Sequence, residues 1–253
     1  MKPARHKFLE HDGVLAFAHR GGAREAPENT MKAFAYAVDL GYRYLETDAY
    51  ATSDGVLISF HDDKLDRVTD RKGKVEKMAW DELREARIGG VEPVPRLEDL
   101  LGAWDHVRVN IDPKHDAAVE PLIGLIKRMG IQDRVGVGSF SDRRIRRFQQ
   151  AFDGAVCTSL GPAGILRLKS SALGLPARKF REGCAQVPPR ASGMALVDRR
   201  FVQAAERNGL QVHVWTIDEE AEMNRLLDLG VHGLMTDRPR LLKDVLQARG
   251  LWK

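Results

Sequence analysis

A chain of 253 residues with 43% hydrophobic and 30% charged side chains can bury a sizeable core, which excludes a disordered polymer. Its net charge of +4 and isoelectric point near 9.1 admit an anionic partner, but without a long basic stripe or clustered aromatics the sequence does not ask for nucleic acid. The two cysteines, Cys157 and Cys184, lie beside apolar runs and read as free thiols in a reducing compartment. Residues 1–12 lack the apolar core of a signal peptide, and no stretch approaches a membrane span. The expectation is a soluble cytoplasmic protein, with a homo-oligomer left open.

In chain order, the apolar run 14–18 stops abruptly at His19-Arg20-Gly21-Gly22. Pro27-Glu28-Asn29-Thr30 then leads into a helix whose buried face is Met31, Phe34, Ala35 and Val38, capped by Asn29 or Thr30. A second strand, 43–48, follows Gly41. Asp54-Gly55 predicts a hairpin into 56–60, and 62–95 reads as a small insertion, so 54–95 decorates a single domain spanning 1–253. Leu97, Leu100, Leu101 and Trp104 mark the next helix, 107–112 the third strand, and Val119, Leu122, Ile123 and Ile126 another helix face. Strands at 135–139, 155–158, 184–187, 211–216 and 233–236 alternate with further helical patterns, several entered through a glycine such as Gly130, Gly209 or Gly230. Residues 169–183 lack clear periodicity and read as a long loop with a broken helix. Eight strands alternating with helices predict an α/β fold of the (β/α)8 TIM-barrel type, with a small insertion after the second strand.

Such barrels carry their sites at the carboxyl ends of the strands, where polar residues collect in this sequence. Glu46 and Asp48 are two apart, so both side chains project from one face of the second strand, and Asp112 and Lys114 repeat the spacing on the third. Adjacent carboxylates repel unless a cation joins them, and with no zinc-type Cys/His cluster the better guess is Mg²⁺ or Ca²⁺. Taken singly, each acid is equally readable as a helix cap or a salt bridge. His19 and His61 end apolar runs and could pair as acid and base, although each alone could be a surface histidine. A divalent cation would reduce three carboxylates to about −1, and Arg20 with Lys114 would bring the site to about +1, which suits a phosphate diester.

The residues resemble the glycerophosphodiester phosphodiesterases. The likeness rests on His19-Arg20-Gly21 with Pro27-Glu28-Asn29-Thr30, on Glu46-x-Asp48, His61-Asp62 and Pro95-x-Leu97. It continues through Ser139-Phe140 and Val214-Trp215-Thr216 to Gly233-x-x-Thr236-Asp237-x-Pro239. Jointly, and in order over nearly the whole chain, these motifs are highly specific. The resemblance implies a (β/α)8 barrel with an insertion after the second strand and cleavage of glycerophosphodiesters to glycerol 3-phosphate and an alcohol. It implies that Glu46 and Asp48 bind the divalent metal, that His19 and His61 are the acid and base, and that Arg20 and Lys114 contact phosphate. Trp215 would wall the glycerol pocket, with Phe140 also on the substrate and Glu28 and Asn29 behind the first layer of contacts. Where the family carries glutamate as its third metal ligand this chain has Asp112, one methylene shorter. Two rivals stand beside this reading. One is headgroup release from lysophospholipids, with Leu173, Leu175 and Phe180 as an apolar approach; the other is a non-catalytic phosphate-binding barrel.

Overall fold

Strands and helices alternate through the computed structural model, which describes residues 5–175, 179–191 and 193–253. The central strands are β1 (Leu15–His19), β2 (Tyr44–Ala51), β3 (Arg108–Pro113), β4 (Val135–Val137), β5 (Cys157–Thr158), β6 (Cys184–Val187), β7 (Gln211–Val214) and β8 (Gly233–Thr236). The helices that follow them are α1 (Met31–Asp39), α2 (Leu97–Ala103), α3 (Val119–Met129), α4 (Asp142–Ala151), α5 (Pro162–Ala172), α6 (Arg199–Arg207), α7 (Glu220–Asp228) and α8 (Pro239–Ala248). The strands pair in parallel in the order β5-β4-β3-β2-β1-β8-β7-β6. A single bridge between Ser159 and Cys184 closes the remaining seam, with Gly183 N–H donating to Thr158 O at 3.0 Å and Leu160 N–H to Cys184 O at 2.8 Å. The eight-stranded barrel expected from the alternation is therefore present.

Local chemistry accounts for the boundaries. Thr30 caps α1, its Oγ1 accepting from Ala33 N–H at 3.1 Å, and Ser141 and Asp198 do the same for α4 and α6. Of the two candidate caps for α1 it is thus Thr30 that serves, and Asn29 is released for another task. Past α3, Gly130 takes the left-handed conformation that ends the helix and turns the chain back toward the sheet.

Most of the core lies between the sheet and the helices, but the barrel interior is packed as well. Phe17, Leu15 and Met235 fill it, and Phe8, on the short turn Lys7–Leu9, plugs its amino-terminal mouth. The Phe8 ring lies edge-on to Tyr44 and occupies space that a side chain at position 136 would need; a Cβ on Gly136 would come within 2.5 Å of it. A phenylalanine so fully buried contributes about 2–3 kcal/mol over an exposed one. The floor is thus closed, and the open end is the carboxyl end.

Between β2 and α2 the chain makes an excursion. Leu57–Ser59 pairs antiparallel with the end of β2, and Arg87–Ile88 pairs with Glu92–Pro93. Ile58, Phe60, Leu65, Val75, Leu83 and Ile88 form a separate small core beneath it. This excursion holds His61 over the barrel mouth.

Residues 169–183 match the expected loop only past Ala172, where the described residues 173–175 and 179–183 hold no helix or strand. Lys169–Ala172 complete α5, which borders the large cavity at the barrel mouth through Ile165, Leu166 and Lys169. A helix that starts at the carboxyl end of β5 must descend to the amino end of β6. Leu173, Leu175 and Phe180 are accordingly carried away from the cavity and do not line it. Residues 176–178 of that stretch lie outside the described residues.

Candidate active site

The first wall of the site is the turn after β1. Arg20 has a φ of 51°, and Gly21 and Gly22 follow at 81° and 104°. A Cβ on Gly21 would stand 2.7 Å from the Ala33 Cβ, and one on Gly22 2.6 Å from the Pro239 ring. The two glycines therefore permit both the left-handed turn and its close seating on α1 and α8. The turn aims the Arg20 backbone N–H at Glu46 Oε2, 3.1 Å away, and presents His19 and the Arg20 guanidinium to the cavity.

His19 is held from behind by a residue from the other end of the chain. Its Nδ1 lies 2.7 Å from Asp237 Oδ1, just past β8. A carboxylate can only accept, so Nδ1 carries the hydrogen and Nε2 is left for proton exchange; Nε2 is 3.8 Å from Glu46 Oε2. Burial lowers the pKa of this imidazole, but the charges of Glu46 and Asp237 outweigh it and leave the pKa above its ordinary value.

On β2 and β3 the predicted acids do share one region. Glu46, Asp48 and Asp112 point into the same cavity, with Asp48 opposite Asp112 in the strand register. Lys114 binds two of them, its Nζ 2.8 Å from Asp48 Oδ1 and 3.1 Å from Asp112 Oδ2. Asn29 Nδ2 donates to Asp48 Oδ2 at 3.2 Å, and Thr47 Oγ1 donates to Asn29 Oδ1 at 2.7 Å, so Asn29 is fixed by one strand residue and fixes the next. Burial lifts Glu46 to about 7, with the Asp48 charge adding to it against the opposing pull of His19. Burial would raise Asp48 also, but Lys114 and Arg20 more than offset it and leave its pKa below the usual value. Asp112 ends above its usual value because burial outweighs Lys114.

As the side chains stand, no three His, Cys, Asp or Glu groups among the described residues converge on one point, because Lys114 occupies the space between Asp48 and Asp112. The donor set nevertheless has the chemistry of a hard-cation site. It consists of oxygens alone, Glu46 and Asp48 are buried with Asp112 half-buried beside them, and burial raises the Glu46 pKa.

His61 is wired in the same manner as His19. Its Nδ1 donates to Asp62 Oδ1 at 2.6 Å. Arg67, from the excursion, then clasps Asp62 with Nε and Nη2 at 2.5 and 3.0 Å, and Glu28 with Nη1 and Nη2 at 2.9 and 2.7 Å. Glu28 Oε1 in turn accepts from Arg20 at 3.2 Å. A chain of ion pairs therefore runs from His61 to Arg20 and on to Asp48, to which the Arg20 Nε is 3.2 Å distant. Hydrogen bonds from Arg67 hold Asp62 down to about 2 despite its partial burial.

Sequence reasoning had no means of finding Arg67, one of several arginines in an aperiodic segment. Asp62 and Asp237 sat inside recognised motifs, and their signal was adjacency to histidine at position 61 and to the end of the last strand.

The cavity measures about 670 Å³ and has a second side of different character. Leu160, Ile165, Leu166, Val187 and Leu196 line it from the turn after β5, from α5, from the end of β6 and from the segment after it. Trp215, past β7, and Phe140, past β4, meet edge to face at its rim with ring centres 5.7 Å apart, Phe140 being 69% exposed. Asn110 and Gln186, neither singled out from sequence, lie across its floor with Gln186 Nε2 donating to Asn110 Oδ1 at 2.8 Å.

Comparison with known proteins bears on the fold and the family. The model of the glycerophosphoryl diester phosphodiesterase family matches residues 19–241. A Mycobacterium tuberculosis protein named "Probable glycerophosphodiester phosphodiesterase 2" is 42% identical over 97% of this chain and 96% of its own length. Among solved structures, a glycerophosphodiester phosphodiesterase from Agrobacterium tumefaciens is 25% identical with a TM-score of 0.75, covering 91% of this chain and 99% of its own. An Oleispira antarctica phosphodiesterase in complex with the product sn-glycerol-3-phosphate shares the fold at 21% identity and a TM-score of 0.78, over 93% of this chain and 97% of its own.

Proposed function

The chain belongs to the glycerophosphoryl diester phosphodiesterase family, and on that premise we propose a mechanism in which His19 and His61 cleave a glycerophosphodiester by acid–base catalysis in a metal-dependent site. The chain is a phosphoric diester hydrolase of that family. The observation that carries the mechanism is the pairing of two imidazoles in one cavity, each with Nδ1 anchored on a carboxylate and no hydrogen bond at Nε2 among the described residues. Arg20 and Lys114 beside them would hold the phosphoryl oxygens.

In this reading one imidazole Nε2 takes the proton from the glycerol 2-hydroxyl, whose oxygen attacks phosphorus. The other protonates the departing alcohol oxygen, and the products are that alcohol and a cyclic phosphate of glycerol. Water then opens the ring with the proton roles reversed, giving glycerol 3-phosphate. Asp237 and Asp62 keep both rings oriented, and Asp237 with Glu46 favours the charged form of His19.

Glu46, Asp48 and Asp112 would hold the divalent cation, Mg²⁺ or Ca²⁺. When bound it neutralises charge at the phosphoryl group. The supports are the oxygen-only donor set, the burial of Glu46 and Asp48, and the raised Glu46. The shorter Asp112 reaches less far than glutamate would and is already engaged by Lys114.

A second reading, release of a headgroup from monoacyl phosphodiesters, draws support from the apolar side of the cavity, where Leu160, Ile165, Leu166 and Leu196 could take an acyl chain. The cytoplasm is the proposed compartment, in keeping with two buried free thiols, Cys157 and Cys184. No helix among the described residues is long and apolar enough to cross a membrane.

The test is product release from glycerophosphocholine beside lysophosphatidylcholine, with Mg²⁺ and Ca²⁺ supplied separately. Glycerol 3-phosphate from the first substrate is the expected outcome. Turnover of the second alone would replace the first reading with the other.

A further inference from the structure

Inside the barrel, below the cavity that holds the acids, lie two thiols and an imidazole that the proposed mechanism does not use. Cys157 opens β5 and Cys184 opens β6, each 1% exposed, within the core that Phe8 and Leu9 close at the amino-terminal mouth. These two strands meet through a single bridge, Ser159 to Cys184, where every other pair of barrel neighbours forms a ladder. Gly183 lets the chain close there. A Cβ on it would stand 2.9 Å from Cys157 Sγ, so the Cys157 sulfur rests against the backbone immediately before Cys184. The two thiols are close enough to share a hydrogen bond.

The imidazole beside them is His213 of β7, and its hydrogen bonds fix its tautomer. Gln211 Nε2 donates to Leu9 O at 3.2 Å, which turns Gln211 Oε1 toward His213 Nε2, 3.0 Å away. An amide oxygen only accepts, so Nε2 carries the hydrogen and Nδ1 is left as a lone pair. His213 is 0% exposed, and its Nδ1 has no nitrogen or oxygen partner among the described residues. Buried polar atoms in that state are rare, and here the group within reach is the Cys184 thiol. The sulfurs are not equivalent. The hydrogen bond from Cys157, followed by the charge of His213, lowers the Cys184 pKa, whereas burial pushes the Cys157 thiol up.

We propose that Cys157 and Cys184 are an oxidation site, a dithiol that hydrogen peroxide converts to a disulfide across the β5–β6 seam with His213 as the base. His213 Nδ1 takes the Cys184 proton, and the thiolate attacks one peroxide oxygen. An S–O bond forms, the O–O bond breaks, and the departing hydroxide recovers the proton from His213 as water. Cys157 sulfur then attacks the sulfenic acid on Cys184; the S–S bond forms, the S–O bond breaks, and the second oxygen leaves as water with the Cys157 proton. Two thiols lose two electrons and one peroxide gains them. The link falls where the barrel has the least backbone pairing, two residues before Ser159 and Gln186, which line the cavity. It is independent of how the cavity acts on phosphodiesters.

The experiment exposes the reduced, folded chain to hydrogen peroxide and maps the products by digestion and mass spectrometry. The expected result is one linked peptide pair joining Cys157 to Cys184 within a chain, two hydrogens lighter and restored by dithiothreitol. In Cys157→Ala a cyclic 1,3-diketone should trap a sulfenic acid on Cys184, and in Cys184→Ala the remaining thiol should react at least about tenfold more slowly. His213→Gln, native by circular dichroism, should slow the link at least about tenfold. Both thiols intact once Met194, 72% exposed, has become the sulfoxide would overturn the site, as would oxidation without a link or a link between separate chains. Equal trapping in the two cysteine variants, or an unchanged rate in His213→Gln, would overturn the roles given to Cys184 and His213. The native chain decides the disulfide itself, whatever the variants do to folding.

Discussion

On the β1–β3 side of the cavity His19, Arg20, Glu46, Asp48, His61, Asp112 and Lys114 each have at least one ionic partner. On the β5–β6 side Leu160, Ile165, Leu166 and Leu196 meet the same space through packing alone. A charged group moved by a fraction of an ångström loses a directional contact and leaves its partner unpaired, while an apolar wall can be reshaped at the cost of contact area. On the proposed mechanism, the difference teaches that chemistry and selectivity are separable here. The first side is held by interlocking ion pairs, and the second, on that reading, can change which alcohol leaves without disturbing them.

The comparison can be broken most decisively at the charged side. His19→Ala and His61→Ala should each lower turnover of glycerophosphocholine by about 10²–10⁴-fold while circular dichroism remains native. Chelation should abolish turnover outright, with Mg²⁺ or Ca²⁺ restoring it, and full activity after exhaustive chelation would show that the carboxylates serve only Lys114 and Arg20. Next comes Arg67→Ala, which removes the clasp between Asp62 and Glu28. A fall in kcat of about tenfold is expected, larger than any change in KM, because the residue positions His61 and Arg20 without facing the phosphate.

Acid provides a subtler probe of the same side. The Asp62 carboxyl is depressed to about 2, so its ionised form is favoured by folding. Its contribution, at most about 2 kcal/mol, is present in full above the unfolded value near 3.9 and is lost as pH falls from there through 2. Acid unfolding of the native chain should steepen in that window, and Asp62→Asn should flatten it. The smallest effect is assigned to the apolar side. Leu166→Gln, at a residue 70% exposed, should change kcat/KM for glycerophosphocholine less than about threefold but weaken a monoacyl substrate more. An equal loss on both substrates would end the separation of the two sides.

Much of this was legible in the linear chain because it depends on local periodicity and on the carboxyl ends of strands. A run such as 14–18 that stops at His19, or a pair such as Glu46 and Asp48 at a spacing of two, states its own geometry, since strand side chains alternate. The segment 169–183 was not legible in this way. Its helix is short of apolar residues on one face, and where its tail goes is decided by the need to return to the start of β6 rather than by its own composition.

By itself, then, the sequence determined the alternation of strands and helices, the residue types at the strand ends and, through their joint order, the family. Tertiary structure decided which of those residues touch. Asp237 reaches His19 across 218 positions, Arg67 reaches Glu28 across 39, and Gln186 reaches Asn110 across 76. Barrel closure brings such pairs together by setting β1 against β8 and laying opposite strand ends over one cavity. No local pattern encodes that distance, because the contact is made by the sum of the turns between.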